Sequence, residues 1–210
     1  MKTIHISIIA LALLITTACS YAVDRNASMS DAFRVNYNSF NDSEYFGIHI
    51  TGENLVKDTN DKWAILAGVS GGTLSFDDGP DFDAIGIEIG TKYYITPLSA
   101  VALLGGYTWS NGDSVNFETG SITARLKQRF VSANKPVSPY FKLEIAQQFV
   151  DAPEDYDAVV LRGMLGCDFM MSQDFAFVFE GGISESDNMD DGNDPEDGWL
   201  LSLAMQYYWE

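Results

Sequence analysis

The last stretch of the chain, Trp199 to Glu210, narrows its possible folds more than any other. With a period of two, Trp199, Leu201, Leu203, Met205, Tyr207 and Trp209 share one face of an extended strand, while Ser202, Ala204, Gln206 and Tyr208 share the other. The first face is wholly apolar or aromatic. It has to be covered by a protein core or by lipid, and rings at both of its ends favour lipid.

Nine earlier segments repeat the pattern. Phe33, Val35 and Tyr37 alternate with polar residues, as do Phe46, Ile48 and Ile50. Trp63, Ile65, Ala67 and Val69 form a less regular third segment, in which Gly71-Gly72 reads as a bulge. Ile85, Ile87, Ile89 and Tyr93 mark the fourth, and Val101, Leu103, Tyr107 and Trp109 the fifth. The remaining four centre on Leu126, Leu143, Leu165 and Phe177. Helical periodicity is nearly absent, and no run of ~18 apolar residues exists after the N-terminal segment, which argues against helical membrane spans.

The connections alternate too. Thr96 to Ser99, Ser132 to Ser138 and Ser172 to Asp174 are short and turn-like. Between them come Asp77 to Asp83, Ser110 to Glu118, Asp151 to Asp157 and Ser184 to Gly198, which together hold 17 Asp or Glu and no Lys or Arg. Turns on one rim and acidic loops on the other predict an all-β, up-and-down antiparallel transmembrane barrel. A closed, even-stranded wall needs Phe33 to Phe40 as its first strand, giving ten strands; eight is the count if that first hairpin lies outside the wall.

The N-terminus has the form of an export signal. Lys2 precedes an apolar run from Ile6 to Ile15, and Ser20-Tyr21-Ala22 fits cleavage before Val23. Residues 1–22 are then a cleaved signal peptide and 23–210 a single barrel domain. Thr16-Thr17-Ala18-Cys19 loosely matches a lipoprotein processing box, which makes lipidation at Cys19 the competing expectation. After cleavage at Ala22 only Cys167 remains, so no intramolecular disulfide is expected. A formal charge of −18 argues against nucleic acid as a partner.

Alternation alone does not say which face points outward, since a soluble carrier barrel would bury the apolar face. Ring placement does. Trp63, Tyr93, Phe130, Phe141, Phe169, Phe175, Tyr207 and Trp209 fall at the short-turn ends of their strands. Phe46, Tyr107, Trp109, Phe149 and Trp199 fall at the loop ends. Two aromatic belts around an aliphatic band fit membrane interfaces. The polar face then lines the lumen, bringing Arg34, Lys92, Arg125, Lys127, Arg129, Lys142 and Arg162 together with Glu53, Glu88, Glu144, Asp168, Glu180 and His49. Mixed signs predict a lumen plugged by salt bridges. A thin, anion-favouring water path along Arg125, Lys127 and Arg129 is the alternative.

The export signal, the two-faced strands, turns such as Tyr94-Ile95-Thr96-Pro97-Leu98 and the terminal Tyr207-Tyr208-Trp209 resemble the small outer-membrane β-barrel proteins of Gram-negative bacteria, including OmpA-type, OmpX-type and YfaZ-like barrels. The resemblance implies an integral outer-membrane location, contact with membrane lipid and lipopolysaccharide, and recognition of the C-terminal strand by the barrel-assembly machinery. Glu210 after the closing aromatic departs from that pattern. No cofactor is implied.

Some small barrels modify lipid A. His49 and Thr51 loosely resemble the His-x-Ser pair of lipid A deacylases, but the hydroxyl differs, and His49 is expected in the interior hydrogen-bond network. The acidic loop with Asp187, Asp190, Asp191, Asp194, Glu196 and Asp197 lacks EF-hand spacing; loose binding of divalent cations is the most it suggests, and no metal site is expected. The expected task is structural or surface-interacting, with a narrow passive pore as the alternative and a lipid A-modifying enzyme as a minor one.

Overall fold

Each of the ten alternating segments is a strand. The computed structural model of the chain describes residues 29–40, 43–55, 62–76, 81–112, 116–132, 135–151, 156–172, 175–188 and 196–209. The export segment with Cys19, the loop acids Asp190, Asp191 and Asp194, and Glu210 lie outside the described residues, as do the side chains of Glu196 and Trp209.

The strands are β1 (Met29–Phe40), β2 (Ser43–Leu55), β3 (Trp63–Phe76), β4 (Phe82–Thr96) and β5 (Ser99–Gly112), followed by β6 (Asn116–Arg129), β7 (Val137–Asp151), β8 (Tyr156–Met170), β9 (Phe175–Asn188) and β10 (Glu196–Trp209). Each pairs antiparallel with its sequence neighbours, and β1 closes on β10 from Met29↔Trp209 to Phe40↔Gly198. Closure leaves no strand with an open row of N–H and C=O groups. Both strands of the first hairpin stand in the wall, so the count is ten and not eight.

At the β4–β5 connection, Pro97 and Leu98 make the turn, and Leu98 N–H donates to Thr96 Oγ1 at 3.1 Å. The one register irregularity in this hairpin falls between Tyr94 and Thr96. The expected bulge at Gly71-Gly72 is absent. Gly72 pairs in register with Gly47 on one side and Ala84 on the other. These glycines clear space for a ring: a Cβ at Gly72 would lie 2.8 Å from Tyr45 Cζ and 2.7 Å from Gly47 Cα. Gly166 plays the same part for Tyr140, its direct cross-strand partner.

Polarity runs inside out. Ile87 is 51% exposed and Leu203 54% on the outer face, whereas Lys142, Glu144, Asp168 and Glu180 are buried. Among the described residues, no ionised side chain lies on the outer face between the two belts of rings. At 12 to 15 residues the strands exceed the ~9–11 that a tilted strand needs to cross a bilayer. The surplus at the loop end is acidic. There Glu118 stands directly opposite Asp151, and Glu185 opposite Asp197.

Replacing Gly166 by Val would drive a side chain into Tyr140, whose Cε2 lies 2.6 Å from the position of a Cβ and which is itself fully buried. We expect Gly166→Val to destabilise the folded barrel by about 2–3 kcal/mol. The urea midpoint of the detergent-folded protein checks this.

Candidate functional site: the charged lumen

Every interior ion is placed by strand parity. Arg34, His49, Glu53, Glu88, Lys92, Arg125, Lys127, Arg129, Lys142, Glu144, Arg162, Asp168 and Glu180 all occupy inward positions of their strands. The structure joins twelve of them into one group of six and three pairs, and leaves Lys127 outside these.

At the centre, Glu180 on β9 accepts from Arg34 on β1, from Lys142 Nζ at 3.0 Å and from Tyr140 Oη at 2.5 Å. Its side chain is 2% exposed, so these donors replace water entirely. Beside it, Glu144 on β7 is flanked in register by Arg125 on β6 and Arg162 on β8. Arg125 Nε donates to Glu144 Oε1 at 2.5 Å, and Arg162 lies 3.6 Å from Oε2. Lys142 reaches both carboxylates, standing 3.7 Å from Glu144. A carboxylate held by several donors tolerates burial because its lone pairs are filled.

Toward the short-turn end, Arg129 pairs with fully buried Asp168 and donates to Ser138 Oγ at 3.2 Å. Lys92 Nζ meets Glu53 at 2.8 Å, and Tyr94 Oη donates to the other oxygen of the same carboxylate. His49 Nε2 lies 3.2 Å from Glu88, with Thr51 on the same inward face. Lys127 is different: its ammonium stands over the Tyr140 ring, 3.6 Å from the centroid.

Two members of this network, Tyr94 and Tyr140, were not legible as lumen residues. Each sits next to an outward ring, Tyr93 or Phe141, and the pair reads as one girdle. Parity was the available signal, since Tyr140 shares its face with Lys142 and Glu144. The loop-end third of the lumen also departs from a uniformly ionic lining. Val150, Val160 and Leu200 are buried there, with Phe82 and Phe117 in ring contact at 5.1 Å.

The outer rings form neighbouring pairs. Trp63 and Tyr93 lie 4.8 Å apart, Tyr107 and Trp109 4.7 Å, and Phe130 and Phe141 6.0 Å. Phe149, Phe169, Phe175, Trp199 and Tyr207 also face outward, and Trp199 packs at a tilt of 50° against Tyr37, with ring centroids 5.0 Å apart. Of the candidate cation ligands, Asp187 and Asp197 are exposed on the outer wall of β9 and β10, and no group of three or more potential metal ligands occurs among the described residues.

Removing Glu180 leaves half-buried Arg34 and buried Lys142 as like charges facing the position it vacates. Glu180→Met should cost roughly 3–5 kcal/mol, whereas adding Arg34→Met to it should recover part of the loss. Urea unfolding of the single variants and the double variant gives the coupling directly.

No family profile matches the sequence, and no curated protein is similar to it in sequence. Solved structures do resemble the barrel. The beta domain of the Bordetella autotransporter BrkA superposes with a TM-score of 0.54 at 9% identity, covering 87% of this chain and 99% of that one. An outer membrane channel from Pseudomonas putida F1 gives a TM-score of 0.56 at 10% identity, covering 90% of this chain and 98% of the other. What the chain has in common with both is the fold, the antiparallel barrel that the sequence pattern predicts.

Proposed function

We propose that this chain is an integral protein of the Gram-negative outer membrane, with a structural or surface-interaction role and an acidic rim turned outward. One observation carries the reading: the outer wall between the aromatic belts bears aliphatic residues such as Ile87, Ile89 and Leu203, while the ions are inside. In water that arrangement would expose a continuous apolar band; in a bilayer that cost vanishes, and the cost of the buried interior charges is met by their pairing with one another. The fold shared with an outer membrane channel and with an autotransporter beta domain supports the same location. Loosely held divalent cations and lipopolysaccharide are the partners that acidic positions such as Asp187 and Asp197 suit.

The interior argues for a plug. Carboxylates clasped by two or three donors tie adjacent and next-but-one strands together along the inner wall and fill the lumen with paired side chains. His49 faces Glu88 inside the barrel, away from the wall where lipid would sit, which supports a non-enzymatic role. A narrow pore is the second reading, favoured by a cavity of about 100 Å³ among the charged side chains.

Two measurements test these readings. Trp63, Trp109 and Trp199 sit in the belts, so reconstituted protein should be quenched more by lipids brominated near the headgroup than by lipids brominated at the chain ends. Insensitivity to both would refute the membrane reading. In planar bilayers the wild-type barrel should show no steady unitary current; reproducible openings from pure protein would favour the pore.

A further inference from the structure

The lumen holds more cations than carboxylates to receive them. Seven Lys and Arg side chains point inward among the described residues, against five carboxylates. Each of the five carboxylates has a basic neighbour within 4 Å: Glu53 has Lys92, Glu88 has His49, Asp168 has Arg129, Glu180 has Arg34 and Lys142, and Glu144 has Arg125, Lys142 and Arg162, while Glu88 Oε1 and Asp168 Oδ1 are buried without a hydrogen bond. Lys127 is left over. Among the described residues, no carboxylate lies within ion-pair distance of its Nζ.

Its surroundings make this costly. The direct cross-strand partner of Lys127 is Lys142, a like charge, and Arg125 lies two residues away on the same face. The Tyr140 ring eases desolvation of the ammonium but does not neutralise it. Asp168 and Glu180 act on the ammonium only from beyond ion-pair distance, and a buried amine held that far from any counter-charge is costly to keep protonated.

Lys127 also lines the cavity of about 100 Å³. Arg34, Lys92, Arg125 and Lys142 share that lining, against Glu53, Glu88 and Glu180, an excess of two positive charges. The space is several times what one water needs, and its polar walls make it a wet site and not a dry void. It is large enough for one small polyatomic anion.

We propose that this cavity is an anion site, with Lys127 as its principal ligand and a small inorganic anion, halide to phosphate in size, as its occupant. The anion supplies the counter-charge that the chain withholds from Lys127. It accepts from the ammonium while the carboxylates keep their present donors. Asp168 Oδ1 and Glu88 Oε1 are buried without a hydrogen-bond partner and are the competing acceptors, yet Lys127 lies within ion-pair distance of neither carboxylate, and each has its own basic neighbour, Arg129 or His49.

The test uses the purified barrel in detergent at fixed ionic strength, with a bulky organic sulfonate as the inert salt. Inorganic phosphate should raise the melting midpoint of the wild-type protein in a saturable way, and Lys127→Met should weaken that dependence at least tenfold while still running as the compact, unheated species on a gel. No saturable response in the wild type, or the same response in Lys127→Met, overturns the proposal. A second measurement does not depend on the variant folding. Wild-type crystals soaked in bromide should show an anomalous peak about 3–3.5 Å from Lys127 Nζ; an empty cavity, or Lys127 turned onto Asp168, overturns it.

Discussion

The antiparallel pairing of β1 with β10 is the contact on which the rest of the molecule depends. Without it the wall would be a sheet with two bare edges, and the hydrocarbon of a membrane offers those N–H and C=O groups no partner. With it, ten strands enclose a space in which inward side chains meet those of strands two places away around the ring. Arg34 on β1 and Glu180 on β9 touch only because the wall is closed. Burial of charge is thus a result of closure, and the density of ion pairs is the answer to that burial.

Charge is sorted radially and along the axis. The chain as a whole is strongly acidic, yet among the described residues the inward face carries an excess of Lys and Arg, and acids such as Glu118, Asp151, Glu185 and Asp197 stand at the loop end of the outer face. Between the two lies the apolar band. Each region suits a different medium: ions paired in a low dielectric, aliphatic residues against acyl chains, and carboxylates in water. Inside, the neutral layer around Val160 and Leu200 separates the ionic layer from the loop end, so the lumen is stratified as well.

How far this could be read without coordinates follows from what a linear pattern encodes. Ile85, Ile87 and Ile89 announce a strand and its outward face because a period of two is visible in one dimension. Acidic and turn-like connections alternate down the chain, so the strand count was legible as well. Contacts between distant strands were not. Arg34 and Glu180 are separated by β10, and their meeting depends on the stagger of the closed wall, which no single segment records. Gly71-Gly72 misled because an extra residue and a missing side chain look alike in sequence; only the position of Tyr45 distinguishes them. The inward tyrosines were masked by the outward rings beside them.

At the lip, Glu118 faces Asp151 and Glu185 faces Asp197 across neighbouring strands, so side-chain repulsion there works against the backbone ladder. Those last rungs answer to the surrounding solution, loosening when counterions are scarce and zipping up when they crowd the surface. The pairs deep in the lumen are screened much less. The height of the wall is therefore a property shared between the protein and its ionic surroundings, while its girth belongs to the protein alone.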